Sequence, residues 1–302
     1  MTDHPKPNSP LIYAVVLAWN QWQETQACLT ALAKSENVNL RIVVVDNGST
    51  DGTADLVSQN FPTVKVLRTE VNIGIVGGYN LGMEYALREH ADLVMILNND
   101  TEMAPDMVSE LAKALDTHPQ AGMVMPKIYH YFGKPNRIWS AGIKWHIFPP
   151  RSKYIGGDAP DGPRFNRIFQ VDYAPSCCVL MTREALEKVG LFDSNYYFYF
   201  TDMEFSARFW RAGYQILFIP TAKMWHKVSM STQKSPKPEK WWFDMGQSSV
   251  LFILQYRSRA ELVIHTLWIL LRETIKLQFD RLLPFLFGVT TGLAERWGWK
   301  NK

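Results

Sequence analysis

The chain has only three cysteines, Cys28, Cys177 and Cys178, and no Cys-x-x-Cys pair. An odd number without that spacing argues against a disulfide framework and fits a reducing compartment. Missing too is an uninterrupted apolar run of the ~18–20 residues that a membrane-spanning helix needs. Residues 1–10 are polar and proline-rich, with no apolar signal-peptide core, so the first domain is expected in the cytoplasm. Charge of one sign is scarce. A formal net charge of +3 over 302 residues is too small to argue for a nucleic-acid partner. Most of the basic excess falls late in the chain. Internal repeats and low-complexity tracts are absent, and no Gly-rich loop carries the Lys of a P-loop.

What the chain does have is alternation. Across 11–125, apolar runs predict strands at Leu11–Ala18, Arg41–Val45, Val64–Leu67 and Leu93–Leu97. Helical patterns separate them at Gln23–Ala33, Thr53–Asn60 and Gly77–Glu89, and Asp106–Leu115 follows, with Pro105 near its start. This order implies an α/β fold with a mainly parallel central sheet flanked by helices. Residues 128–173 lose the periodicity but keep many aromatics, which reads as substrate-binding loops and short strands. A strand at Cys178–Met181, a helix at Arg183–Val189 closed by Gly190, an aromatic strand-like run at Tyr196–Phe200, a helix at Asp202–Ala212 and a strand at Gln215–Ile219 follow. A polar hinge from Ser235 leads into a C-terminal helical extension over 235–302. Its apolar stretches, Leu262–Leu271 and Leu282–Val289, are separated by Arg272, Glu273, Lys276, Asp280 and Arg281. That suits amphipathic helices lying on a membrane surface. The alternative is that they cover the first domain or form a homodimer interface.

The chemistry concentrates where strands stop. Leu93-Val-Met-Ile-Leu-Asn98-Asn99-Asp100 is a buried-strand pattern ending in three polar residues, and ligands of open α/β sheets bind outside such carboxyl ends. Asp100 is therefore placed to take a divalent cation and, through it, a substrate phosphate. Ile42-Val-Val-Val-Asp46 ends in the same way and runs into Asn47-Gly-Ser49-Thr-Asp51. Asp46 fits the fixed carboxylate that a nucleobase imide N–H would need, while Ser49 or Asp51 can cap the following helix. Asn72-Ile-Gly74-Ile-Val-Gly-Gly78-Tyr-Asn80 is a Gly-rich turn into a helix, where backbone can approach an anionic ligand. Asp202 begins a helix beside aromatic residues and can act either as a general base or as a simple cap. His226 can be structural, or its imidazole can complete an octahedral Mn²⁺ site built otherwise from oxygen.

Taken in order, the Asp46–Thr53 turn, the Asn72–Gly82 turn, the Asn98–Asp100 strand end and the Gly190–Tyr214 block resemble a family 2 glycosyltransferase of the GT-A fold, in its bacterial rhamnosyltransferase-like branch. The resemblance covers residues 11 to about 232. It implies a GT-A domain over 1–234, with a nucleotide-sugar half at about 11–125 and an acceptor half at about 126–234. It further implies inverting transfer of a sugar from a nucleotide diphosphate donor, with Mn²⁺ or Mg²⁺ as cofactor. Asp46 matches the base-reading Asp, Asp100 the last Asp of the metal motif, Asp202 the catalytic base and His226 a metal-proximal histidine. Asn20, Asn47, Ser49, Asp51, Asn72, Gly74, Gly78, Asn80, Asn98 and Asn99 would surround the nucleotide sugar. Trp139, Trp145, Tyr196, Tyr197 and Thr201 would hold a glycan or lipid-linked acceptor, since sugars stack on aromatic faces.

The chain departs from the pattern at four places. Asn98 stands at a frequent Asp, and Thr201 replaces the Glu before the catalytic Asp. Ala18-Trp19 replace a hydroxyl-aromatic pair before Asn20, and Gln247-Ser248 replace Arg-Asn. Two other readings accompany this one. A sugar nucleotidyltransferase would open with a basic Gly-rich loop, which Val16–Asn20 is not. A non-catalytic glycan-binding or scaffold member draws on Thr201 and Gln247, against the retention of Asp100, Asp202 and His226 together.

Overall fold

Runs of Val, Ile and Leu set the first four strands: β1 (Leu11–Ala18), β2 (Asn39–Asp46), β3 (Lys65–Arg68) and β4 (Leu93–Asn98). Branched side chains suit a pleated, buried surface. Helices α1 (Trp22–Leu32), α2 (Thr53–Asn60) and α3 (Gly74–Arg88) connect them. β1 pairs in parallel with β2 on one side and β4 on the other, and β3 extends the sheet beyond β2. The strand order therefore reverses at β1, which opens a switch-point crevice at the carboxyl ends of β1 and β4. This computed structural model describes residues 9–134, 136–146, 151–196, 199–227 and 239–296.

After β4 come β5 (Thr101–Met103), α4 (Met107–Thr117) and β6 (Ala121–His130). The aromatic region folds as short strands: β7 (Arg137–Ser140), β8 (Ile143–His146), β9 (Arg151–Tyr154), β10 (Ala159–Pro160) and β11 (Phe169–Gln170). β8 and β9 form a separate antiparallel hairpin. Then follow β12 (Cys178–Thr182), α5 (Arg183–Val189), α6 (Thr201–Arg211) and β13 (Gln215–His226). The sheet is mixed, because β12 inserts between β4 and β6 and runs antiparallel to both. Hydrophobic periodicity reports burial and carries no strand direction, so the sequence pattern alone suggests a more parallel sheet.

Two further expectations change. The run at Tyr196–Phe200 is not a strand at its described residues. Phe200 adopts a left-handed conformation (φ 61°), and its carbonyl accepts the Glu204 amide at 2.7 Å, so the chain is already turning into α6. Tyr197 lies outside the described residues. The strand expected at Gln215–Ile219 instead continues as β13 to His226, absorbing Pro220 at an irregular register beside β6. That extension carries His226 to the sheet edge where Asp100 sits.

The extension forms α7 (Glu239–Tyr256), α8 (Arg259–Ile275) and α9 (Leu282–Arg296). Ser258 caps α8 by accepting the Glu261 amide at 3.2 Å. A second apolar core joins these helices to the first domain. Trp145, Tyr173, Tyr196 and Met203 pack there with Trp242, Phe252, Ile253 and Phe285. The domain-covering role is thus realised by one face of the extension. α7 and α9 approach closely: a Cβ on Gly288 would lie 2.0 Å from the Phe243 carbonyl oxygen, and one on Gly246 2.2 Å from that of Phe285. Small residues permit such backbone contact between helices. Gly288→Ala is expected to force the pair apart, at an overpacking cost of about 1–3 kcal/mol. Urea unfolding checks this, and an unchanged midpoint would count against the tight pair.

Candidate active site

The β2 end begins the site. Asp46 is fully buried, and neither carboxylate oxygen has a hydrogen-bond partner among the described residues. Arg68 stands directly across from it on β3, with Nε 3.7 Å from Asp46 Oδ2. Asp55 holds Arg68 in place through two hydrogen bonds of 3.2 and 3.3 Å. A buried carboxylate with no hydrogen bond is costly unless a ligand donor completes it.

Around Asp46 the predicted polar residues form a clasp between loops. Asn20, itself left-handed (φ 56°), donates its amide to Ser49 Oγ at 2.7 Å and accepts the Thr50 amide at 2.9 Å. Asp51 accepts from the Trp22 amide and from the amide and hydroxyl of Thr53, so it secures the starts of both α1 and α2. Burial pushes its carboxyl up, but these hydrogen bonds outweigh that, and its pKa lies below the ordinary value. Asn47 is the hub to the Gly-rich turn. Its Nδ2 donates to Asn72 Oδ1 and to the Gly74 carbonyl, and its Oδ1 accepts the Ile73 amide. Asn72 in turn accepts the Gly74 amide at 2.8 Å.

Several of these residues do a different job from the one the sequence suggests. A Cβ on Gly78 would lie 2.4 Å from a Leu17 methyl, so this glycine lets α3 settle onto β1 and does not line an open ligand path. Asn80 exchanges two hydrogen bonds of 2.9 Å with the Phe192 backbone, pinning α3 to the loop before α6. Asn98 accepts the Tyr79 hydroxyl at 2.6 Å, and Asn99 donates to Thr25 at 2.9 Å.

The β4 and β13 ends meet at the heart of the site. His226 Nε2 lies 3.1 Å from Asp100 Oδ1, both side chains are buried, and His226 Nδ1 has no hydrogen-bond partner among the described residues. The Lys227 amide donates to the Asp100 carbonyl at 2.9 Å and fixes the two ends together. Lys227 is buried and bridges Glu24 at 2.5 Å and Glu102 at 2.7 Å. Burial alone would lower its pKa; hydrogen bonds to these two carboxylates reverse that and raise it. Trp139 stands edge-on to His226, ring centroids 4.7 Å apart, and packs on Tyr154 at 4.9 Å.

Asp202 belongs to α6 and sits in its first turn, partly buried. Loss of solvent raises its pKa, and hydrogen bonding from Ser176 only partly opposes this. The Asp202 and Asp100 carboxylates both lie within electrostatic reach of the buried Tyr79 hydroxyl and the Cys177 thiol. Burial, then the neighbouring Cys177 and these two acids, hold Tyr79 well above its usual range. Glu204, one turn side away, is consumed elsewhere. It binds Arg208 through two hydrogen bonds of 2.9 Å and accepts Tyr256 at 2.7 Å, joining α6 to α7. Thr201 is buried at the helix start.

Of the aromatic acceptor candidates, Trp139 stays at the site and two do not. Trp145 and Tyr196 are 6 % and 1 % exposed, sealed in the second core beneath the C-terminal helices, and offer no open face to a sugar. Sequence alone could not reveal that α7–α9 cover them. Gln247 donates to Glu295 at 2.7 Å and links α7 to α9, while Ser248 is buried. Sequence reasoning missed Arg68, Tyr79, Ser176 and Lys227. Arg68 had a signal, since a cation closing β3 falls opposite the Asp that closes β2. Tyr79 lies in the Gly-rich stretch, which folds as the first turns of α3.

Among the described residues no group of three or more His, Cys, Asp and Glu could hold a metal by itself. Asp100 and His226 would nevertheless suit a divalent cation that takes its remaining ligands from substrate phosphates and water, with the carboxylate as the oxygen donor and the imidazole favouring Mn²⁺ over Mg²⁺.

Residues 13–190 match the model of the family described as glycosyl transferase family 2. The chain is similar to the N-acetylglucosaminyl-diphospho-decaprenol L-rhamnosyltransferase of Mycobacterium tuberculosis, 23 % identical over 255 residues, covering 74 % of this chain and 78 % of that one. It is also similar to the dTDP-rhamnosyl transferase RfbF of Shigella flexneri, 22 % identical over 224 residues, covering 74 % and 71 %. Among solved structures it resembles GalNAc-T7 with UDP, GalNAc and Mn²⁺, with a TM-score of 0.62 and 15 % identity. That match covers 80 % of this chain and spans about half of the other, 48 %. The protein belongs to glycosyl transferase family 2 and has the GT-A fold of a glycosyltransferase.

Proposed function

We propose that this glycosyltransferase moves a sugar, a rhamnose-like deoxysugar favoured, from a nucleotide diphosphate donor to a glycan or lipid-linked acceptor, with inversion and with Mn²⁺ or Mg²⁺. The observation that supports this reading is the buried Asp100–His226 pair at the strand ends, with Asp202 in electrostatic reach of the same Tyr79 hydroxyl as Asp100 and with the buried, unbonded carboxylate of Asp46 at the end of β2. Asp46 would accept an imide N–H of the base, and Asn20, Asn47, Ser49, Asp51, Asn72 and Gly74 hold the loops that frame it. Asp100 and His226 would hold the cation on the donor diphosphate. Bound there, the cation would supply neutralisation of the charge that builds on the leaving group.

Asp202 takes the proton of the acceptor hydroxyl as that oxygen attacks the anomeric carbon. The bond from carbon to the diphosphate oxygen breaks as the new glycosidic bond forms. Attack opposite the leaving group inverts the centre in one step, and no enzyme nucleophile is required. The raised pKa of Asp202 makes it a better base than a solvated carboxylate. Trp139 and Tyr154 are the aromatic faces left to an acceptor sugar. Two relatives named for rhamnosyl transfer, one of them for N-acetylglucosaminyl-diphospho-decaprenol, support the deoxysugar and the lipid-linked acceptor. The role that goes with this reading is cell-surface polysaccharide synthesis at the inner face of the membrane.

A panel of nucleotide sugars, each with Mn²⁺ and then with EDTA, tests this through melting temperature. A ligand that binds the native state raises it by mass action. At 100 times its Kd, the right donor stabilises by about 2.7 kcal/mol. The expected result is stabilisation by a deoxysugar nucleotide that EDTA removes. A panel with no metal-dependent stabilisation contradicts the reading.

A further inference from the structure

Helix α8 is apolar on two sides. Leu262, His265, Ile269 and Glu273 turn inward. On the outer side Leu267, Leu271 and Ile275 repeat at four-residue spacing and are 60 %, 55 % and 71 % exposed. Leu277 in the turn after α8, and Leu283 and Phe287 on α9, are likewise exposed, at 76 %, 77 % and 67 %. Of the seventeen exposed large hydrophobic residues among the described residues, nine fall between Val263 and Phe287. A surface helix normally keeps its second face polar, and apolar exposure concentrated in this way marks an interaction surface.

We infer that the α8–α9 ridge is the face by which the enzyme lies on an anionic lipid bilayer, and that it fixes the acceptor side of the crevice against that surface. No described helix is long and apolar enough to cross a membrane, so the helices lie on the bilayer. The charges beside the ridge suit lipid headgroups. Arg259 and Lys276 are exposed there, whereas Glu273 is buried under Arg272 and Arg281, and Glu261 is held by Arg257. Asp280 is the exposed acid near the ridge. Long cationic side chains can bury their stems in the interface and keep their heads at the phosphates.

The ridge is coupled to the site by packed contacts. Trp145 on the β8–β9 hairpin donates to Glu261 of α8 at 3.0 Å, and Arg257 lies over its ring at 5.6 Å. Arg151, at the start of β9, lies over Trp268 of α8 at 5.9 Å. At the other end of β9, Tyr154 packs on Trp139, which contacts His226. Seating the ridge on lipid therefore sets the acceptor hairpin, and with it Trp139, at the membrane surface. An acceptor carried on a lipid would reach Asp202 without leaving the bilayer. The docking rests on the transferase reading for its purpose and on the exposed ridge for its existence.

Flotation of the full chain with vesicles tests it. The vesicles are phosphatidylethanolamine with phosphatidylglycerol in one arm and phosphatidylcholine alone in the other. The wild type is expected to float with the anionic vesicles. The double variant Leu271→Glu/Leu283→Glu, at exposed positions, is expected to lose at least tenfold in partitioning while keeping its far-ultraviolet circular dichroism. Arg259→Glu/Lys276→Glu is expected to weaken flotation in the anionic arm selectively. Wild type that stays at the bottom of the gradient overturns the proposal. So does an acidic double variant that floats like wild type. Sedimentation equilibrium without lipid completes the test: a wild-type dimer that the double variant converts to monomer, with neither floating, assigns the ridge to a second copy. Donor-induced stabilisation is measured without vesicles, so its failure would sink the transferase reading and leave the docking result standing.

Discussion

Asp202→Asn is expected to lower sugar transfer by about 10²–10⁴-fold, the usual cost of losing a general base. Donor and metal binding should survive, because the proposed mechanism gives those contacts to Asp46, Asp100 and His226. The variant keeps the side-chain shape and removes only the basicity. Burial raises the Asp202 pKa, which gives two further expectations. The acid limb of kcat/KM should lie above the usual carboxylate range in wild type and vanish in the variant. Stability should move the opposite way to activity. A carboxylate whose pKa is raised by folding binds its proton more tightly folded than unfolded. The fold therefore loses stability as pH rises from the unfolded pKa through the folded one. At neutral pH the ionised Asp202 is a cost that asparagine lacks, so the variant should melt higher than wild type. Transfer near the wild-type rate would make Asp202 a helix residue only. Glu204 is no ready substitute, since Arg208 and Tyr256 hold its carboxylate.

Asp100→Ala is expected to abolish metal-dependent donor binding and to leave the fold intact. Its carboxylate is one of two adjacent donors at the strand ends, and its backbone carbonyl, which receives the Lys227 amide, remains in the variant. The loss should exceed the roughly 10–100-fold that removing an outer-shell partner of a metal site costs. Calorimetry with nucleoside diphosphate and Mn²⁺ reads it directly. Unchanged affinity would place the cation elsewhere or dispense with it.

The places of these two acids at element ends were legible in the sequence because each follows a landmark. Asp100 ends an apolar strand, and Asp202 opens a helix after an aromatic run. The α/β alternation was legible for the same reason: β1 and α2 lie where apolar periodicity puts them. Strand direction was not, so the antiparallel β12 went unseen. The reach of β13 to His226 was hidden behind Pro220, which locally breaks the strand pattern. Trp145 and Tyr196 look like acceptor platforms in one dimension, because their burial depends on helices about a hundred residues downstream in the case of Trp145 and some fifty for Tyr196. Gly78 and Asn80 show a related limit: the Gly-rich turn was recognised, yet contacts with Leu17 and Phe192 decide what those residues do. Arg68 and Lys227 act across strands, and only the register brings them to Asp46 and Asp100.

The anomeric configuration of the transferred sugar tests the central claim most directly. Nuclear magnetic resonance of the product formed with Mg²⁺ reads it against that of the nucleotide donor. Direct attack by a hydroxyl that Asp202 deprotonates predicts the opposite configuration at the anomeric carbon. Retention of the donor configuration would contradict a one-step displacement in this crevice.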